Sequence, residues 1–352
     1  MKQAYWLGWV AAVLLSPATL ANSASGYSDS SDKSTTSDYG SRAETQAFIA
    51  EMVSRHRFDA EELSRLFTQA EKKQKIIDAI SRPAEKVLTW GDYRKIFLTP
   101  NRIEGGANFY GQHQEVLKAA EARFGVPAEV ITAIIGVETL YGERKGNYRV
   151  VDALATLAFD YPPRGKFFRG ELEQFLLLAR EQRFQPLDLY GSYAGAMGYG
   201  QFIASSYRHY AVDFDGDQVA DLLNNQVDAI GSVANYLSKH GWNQDEDIAL
   251  PIAQVGVTSG MKVPQTLELT SKVGELKQAG LDLETRNADT ARARLLRLET
   301  AEGSEYWVAL NNFYAITRYN HSDLYAMAVF QLSREILETY GQADQLAEGQ
   351  VQ

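Results

Sequence analysis

The 352-residue chain contains no cysteine. Disulfides, thiolate metal sites, cysteine nucleophiles and a cysteine-linked lipid anchor are therefore excluded. Positive charge is also scarce. The 35 Lys and Arg residues stand against 45 Asp and Glu, a formal charge of -10, so there is no basic field to hold nucleic acid or an anionic lipid surface. Several catalytic signatures are missing as well. No G-x-S-x-G surrounds Ser192, none of the five histidines is placed as its base, and no H-E-x-x-H occurs. The glycines of "GAMGYG" lack the strand–turn–helix setting of a dinucleotide site.

The N-terminal apolar run is short. Met1-Lys2 and "AYWLGWVAAVLLSPATLA" end in small residues and read as a secretory signal over 1–24, cleaved after Ala21 or Ala24. An uncleaved anchor is the other reading, although the run is short for a spanning helix. Residues 25–43 are rich in Ser, Asp and Thr and have almost nothing to bury, so a disordered tether is expected there. The chain is thus expected to be exported, and folded from about Glu44.

What remains is ordinary globular sequence, 45% hydrophobic and 23% charged, enough for two or three subdomains. Phe48, Ile49, Met52 and Val53 share one helical face; Asp59 reads as the cap of a helix with Leu63, Leu66 and Phe67 inward. Helical patterns continue to about Gly241. From 249 to 313, "ALPIAQVG", "LELTSKVGEL" and "ARLLRLETAEGSEYWVAL" alternate and carry glycine turns, predicting short strands. A last helix follows Ser322 as its cap, with Leu324, Met327, Ala328 and Leu332 buried. The fold class is mainly α with a small antiparallel β subdomain. The expected organisation is an α domain over 44–110, a core over 111–248, the β subdomain over 249–313 and a returning helix over 314–345.

Three polar clusters and one acidic loop interrupt this pattern. "AIIGVETLYGERKG", 133–146, carries a lone carboxylate, Glu138, at the end of an apolar helix before a glycine turn. Ionising an acid there is costly, so a protonated carboxyl able to act as a general acid is expected. A core glutamate bonded to a neighbouring backbone or hydroxyl group is the alternative. "YGSYAGAMGYGQF", 190–202, interleaves glycines with Ser192, Tyr193, Tyr199 and Gln201. Such a stretch lets backbone and uncharged polar groups approach a sugar closely, or is a plain glycine-rich turn. "TRYNHSDLY" offers Tyr319, Asn320 and Tyr325, or simple helix capping. Asp213, Asp215 and Asp217 alternate as at the start of an EF-hand, but Gly216 is at position four, Gln218 at six and Asn224 at twelve. Asp228 could close a longer loop; a solvated acidic turn is the alternative.

Taken together, "VITAIIGVETLYGERKGNYRVVDALATLAFDYPPR", "FFRGELEQFLLLAR", "GSYAGAMGYGQFIASSYRHYAVDFDGD" and "VDAIGSVANYLSKHGW" resemble the lytic murein transglycosylase B family, glycoside hydrolase family 103. The resemblance runs from about Thr45 to Tyr340. It implies a lysozyme-like catalytic core and cleavage of the MurNAc-β-1,4-GlcNAc bond of peptidoglycan to give 1,6-anhydro-MurNAc ends. Glu138 matches the family's single acid, then base. Ser192 and Gln201 match polar groups of the sugar site, Phe202 an aromatic floor, and Tyr93, Tyr236, Tyr319, Asn320 and Tyr325 other cleft residues. Phe167 stands where relatives often carry tyrosine, leaving stacking alone. The family's calcium loop matches Asp213, Asp215, Asp217 and Asp228, with Val219 offering a carbonyl, although the stretch after Asp217 departs from the pattern. The resemblance implies no cofactor for the chemistry, a structural Ca²⁺ and peptidoglycan glycan strands as substrate; partners among cell-wall synthesis or division proteins are not readable from the sequence. A monomer in the periplasm is expected. A hydrolytic muramidase on the same fold, and a non-catalytic peptidoglycan-binding protein, are the alternatives. An intramolecular hydroxyl nucleophile fits the absence of a partner acid for Glu138 in the polar clusters, since ordinary glycosidases need two carboxylates. The glycine turn after Tyr141 is expected to leave room for the glycan.

Overall fold

Apolar residues three and four apart form the first helices, as predicted. This computed structural model describes residues 39–81, 88–253 and 263–349. Helix α1 (Ala43–His56) buries Phe48, Ile49 and Met52, and α2 (Ala60–Thr68) buries Leu63, Leu66 and Phe67. The Asp59 carboxylate caps α2, accepting the Glu62 N–H at 2.8 Å. Helix α3 (Gln74–Ile80) packs on α8 (Val150–Asp160).

The fold begins before the expected end of the tether at residue 43. Tyr39 is fully buried, its phenol donates to Asp160 at 2.8 Å, and Arg42 meets the same carboxylate at 2.9 Å. A single aromatic and a single arginine make this anchor, so the serine-rich composition around them concealed it. The expected signal and the tether up to residue 38 lie outside the described residues.

Helices α4 (Trp90–Phe97), α5 (Pro100–Gln112) and α6 (Gln114–Phe124) lead into α7 (Ala128–Thr139). Every residue of α7 except Glu129 is buried. Packed around it are α5, α6, α11 (Gln226–Lys239) and α14 (Asp323–Gly349). Each Ile or Val so buried contributes roughly 1.5–3 kcal/mol, which fixes α7 as the axis of the molecule. Beside it, α9 (Gly165–Glu181) packs on α8 and α10 (Ala204–Tyr210). Strands β1 (Tyr148–Arg149) and β2 (Tyr190–Gly191) pair antiparallel.

The expected β element is a four-stranded antiparallel sheet in the order β3-β6-β5-β4. Its strands are β3 (Ala249–Pro251), β4 (Ser271–Lys272), β5 (Arg292–Thr300) and β6 (Gly303–Ala309). "LELTSKVGEL" is strand only at Ser271–Lys272; Val273–Gln278 forms helix α12. The Glu275 carboxylate accepts the Lys272 N–H at 3.0 Å and starts that helix, against the alternating pattern. Val273, Leu276, Leu295 and Val308 form a small core of their own, while Leu296 and Leu298 of β5 join the main core.

Helix α13 (Asn311–Tyr319) returns to the body. Ser322 caps α14 as expected, its hydroxyl accepting the Tyr325 N–H at 3.3 Å, and Met327, Ala328 and Leu332 are buried. Among the described residues no helix is long and apolar enough to cross a membrane.

Candidate active site

Glu138 lies one residue before the end of α7 and is 8% exposed. The chain then turns sharply, with Leu140, Tyr141 and Gly142 all left-handed at φ 50°, 59° and 98°. Two non-glycine residues in that region are held against about 1–3 kcal/mol of strain each. The hold comes from side chains. Thr139 donates its hydroxyl to the Tyr199 carbonyl at 2.9 Å and accepts the Gly142 N–H at 3.0 Å. Tyr141 passes between α5 and α7 and donates to the Arg102 carbonyl at 2.7 Å, a path open because Gly105, Gly106 and Gly136 lack a Cβ.

The glycine turn does not make room for a glycan. A Cβ on Gly142 would stand 2.1 Å from the Tyr199 ring, so the space is filled by the protein itself. The same correction applies to 190–202. A Cβ on Gly191 would meet the Ala196 carbonyl oxygen at 2.2 Å, one on Gly198 the Leu222 carbonyl oxygen at 2.1 Å, and one on Gly200 the Tyr319 hydroxyl at 2.8 Å. These glycines let the loop fold onto its own neighbours, which is how Gln201 and Phe202 are delivered. Gln201, at φ 49°, donates to the Lys145 and Gly198 carbonyls at 3.1 and 2.9 Å.

Glu138 accepts the Tyr325 phenol at 2.7 Å. From Tyr325 an aromatic series continues: Tyr319 lies 6.4 Å away and nearly parallel, Tyr236 packs 4.7 Å from Tyr319, and Phe202 touches both at 5.8 and 5.6 Å. The Tyr319 hydroxyl donates to the Gly200 carbonyl at 2.6 Å and Tyr236 to the Arg318 carbonyl at 2.7 Å. Both phenol protons are thus committed to backbone carbonyls of the protein itself. Burial pushes the Tyr319 and Tyr325 phenols well above their ordinary range, and the Glu138 charge adds to it. Both stay protonated donors.

Tyr93 on α4 is buried beside Phe97, at 4.9 Å between rings, and its phenol acts electrostatically on Tyr325. Asn320 is buried at the end of α13. Two expected sugar contacts have no exposed surface. Tyr325 is fully buried behind Glu138, and Ser192 is fully buried with its oxygen accepting the Ala194 and Ala196 N–H groups. Phe167 lies on α9, its ring 4.4 Å under the Arg164 guanidinium. The Tyr141 wedge was missed in the sequence, although glycines at 105, 106 and 136 on two helices were a signal for it.

The other buried acids are committed elsewhere. Asp152 pairs with Arg149 at 2.8 Å, Glu171 accepts the Ser205 N–H at 3.0 Å, and Asp228 accepts the Phe214 and Asp221 N–H groups at 2.7 and 2.8 Å. Glu143, near Glu138 in sequence, is exposed beyond the turn.

In the acidic loop, Asp213, Asp215 and Asp228 bring one carboxylate oxygen each to within 4.8 Å of one another. Three hard anionic oxygens fit Ca²⁺ in donor type. Gln218 takes φ 75° where an EF-hand uses glycine. Asp217 lies outside this group of three carboxylates, and its own carboxylate accepts the Val219 N–H at 2.8 Å.

Comparison with known proteins agrees with this geometry. Residues 40–334 match the transglycosylase SLT domain model. Membrane-bound lytic murein transglycosylase B of Escherichia coli (strain K12) is 42% identical over 308 residues, covering 85% of this chain and 84% of that one. The soluble lytic transglycosylase SltB1 of Pseudomonas aeruginosa superposes with a TM-score of 0.79 at 49% identity, over 85% of this chain and 99% of that one. The Escherichia coli lytic transglycosylase Slt35, solved in complex with calcium, gives 0.78 at 41% identity, over 87% and 96%. With its buried glutamate at the end of α7 and its helical, lysozyme-like core, the chain belongs to the lytic murein transglycosylase B family.

Proposed function

We propose that the protein is a peptidoglycan lytic transglycosylase that cleaves the MurNAc-β-1,4-GlcNAc bond without water, with Glu138 as acid and then base. The observation that carries the reading is the Glu138–Tyr325 pair: a buried carboxyl held by a phenol, while Asp152, Glu171 and Asp228 are tied to other groups. A hydrolase would need a second carboxylate to serve as base or nucleophile.

The protonated Glu138 gives its proton to the glycosidic oxygen as the bond to MurNAc C1 breaks. The GlcNAc side leaves as an alcohol. Glu138, now a carboxylate, takes the proton of the MurNAc C6 hydroxyl, whose oxygen closes on C1 to form the 1,6-anhydro ring. The proton returns to Glu138, so the enzyme is regenerated and no water is consumed. The nucleophile is part of the substrate, which supplies a large effective concentration. Tyr325 supports the charged carboxylate between the two transfers, and the partly exposed Tyr319, backed by Tyr236 and Phe202, receives the apolar side of a sugar.

Asp213, Asp215 and Asp228 would hold a Ca²⁺ ion that pins the 213–228 loop to the start of α11; it has no part in the chemistry. The substrate is the glycan strand, and the setting is the periplasm. Digestion of purified sacculi tests the reading by mass spectrometry: anhydro-muramic ends support it, and a water-derived reducing end overturns it.

A further inference from the structure

Strand β5 alternates between two cores. Ala293 and Leu295 face the small one, Leu296 and Leu298 the main one. Arg294 shares the face of Leu296 and Leu298, where an apolar residue is the rule, and it is 1% exposed. Its guanidinium donates from Nη2 to the Asp323 carboxylate and lies 5.9 Å from the Phe313 ring centroid.

Asp323 is the first residue of α14, and Tyr325 follows two residues later. The beginning of α14 is thus held at two points: Ser322 takes the Tyr325 N–H, and Arg294 takes Asp323. A cavity of about 840 Å³ lies where the sheet meets this turn, lined by Trp90, Leu296, Leu298, Tyr306, Asp323 and Leu324. Arg294 is fully buried and Asp323 partly so, and such ion pairs stabilise a fold poorly compared with apolar residues of the same volume. Burial raises the Asp323 carboxyl above its ordinary range, and the Arg294 charge opposes that rise.

We infer that Arg294 is a positioning residue for the reaction, holding the first turn of α14 through Asp323 so that Tyr325 stays on Glu138. The inference rests on the transglycosylase reading above. Displacements of about 1 Å at such a contact cost up to a hundredfold in rate.

A kinetic cycle tests it on the full chain, with a defined soluble glycan strand as substrate. The parent, Arg294→Met, Tyr325→Phe and the double variant are compared, and Arg294→Lys serves as the rescue. Methionine fills the space of the arginine stem and leaves Asp323 at a helix N-terminus, where negative charge is favourable. Arg294→Met is expected to lower kcat about tenfold with KM within about twofold, and to cost nothing further once Tyr325 is Phe. Arg294→Lys is expected to recover most of the loss. Losses that multiply in the double variant, or an unchanged kcat in folded Arg294→Met, overturn the inference. If Arg294→Met does not fold, Asp323→Asn enters the same cycle and is judged by the same two outcomes. Anhydro ends released by the parent are measured in the same assay. Their absence overturns the transglycosylase reading itself, whereas their presence with multiplying losses removes only the role of Arg294.

Discussion

The Tyr325 phenol donates to the Glu138 carboxylate at 2.7 Å across 187 residues of sequence. This contact joins the end of the central helix to the start of the long final one.

Glu138→Gln keeps the shape of the side chain and removes its transferable proton. Turnover of murein is expected to fall by roughly 10²–10⁴-fold while glycan binding persists. Product release measured by mass spectrometry, beside binding by calorimetry, separates the two effects. Substantial residual turnover would move the acid to another residue.

Tyr325→Phe leaves a buried carboxyl without its phenol donor. A stability loss of about 1–3 kcal/mol is expected, read from urea midpoints, together with a lower kcat. A variant as stable and as active as the parent would show that the contact has no consequence.

Gly142→Ala places a methyl against Tyr199 on backbone at φ 98°. Overpacking and strain together are expected to cost about 2–4 kcal/mol. Combining it with Tyr199→Ala should relieve the clash but not the strain, so thermal melting of the double variant should recover only in part.

The acidic loop gives a metal-dependent expectation. Asp215→Ala should lower the melting temperature in calcium far more than in chelator, and Asp217→Ala should show little of this difference. At free calcium 100-fold above Kd the linkage amounts to about 2.7 kcal/mol. Equal calcium and chelator curves for the parent chain would argue against a structural ion.

His321 sets a pH dependence. Burial, with the nearby Arg318 and His240 charges, pushes its imidazole from 6.5 down to about 4. The unfolded chain therefore takes up the proton first, and stability is lost as pH falls from about 6.5 toward 4. The side chain is partly exposed, so screening reduces the effect to on the order of 1 kcal/mol. Urea midpoints at pH 7 and 4.5 should differ less for His321→Asn than for the parent.

Much of the fold was legible where spacing alone decides it. The helices with Phe48 and Met52, with Leu63 and Phe67, and with Met327 and Leu332 follow from apolar periodicity, and Asp59 and Ser322 cap helices as their positions suggest. Glu138 stood out because an acid is rare in an apolar run. What could not be read depends on partners far apart in the chain. Tyr199 fills the space beside Gly142, Leu222 lies against Gly198, and Asp323 answers Arg294, so glycines that suggested an open ligand site prove to be seats for the protein's own groups. Val273–Gln278 escaped because a local cap outweighed strand alternation.

The sheet precedes α14 in the chain, and both follow Glu138 by more than a hundred residues. During synthesis the carboxyl therefore emerges long before the segment that carries Tyr325. Glu138 can acquire its Tyr325 contact only once the segment that carries α14 is available to dock on α7. Order of translation thus delays the completed Glu138 site until almost the whole chain has been made.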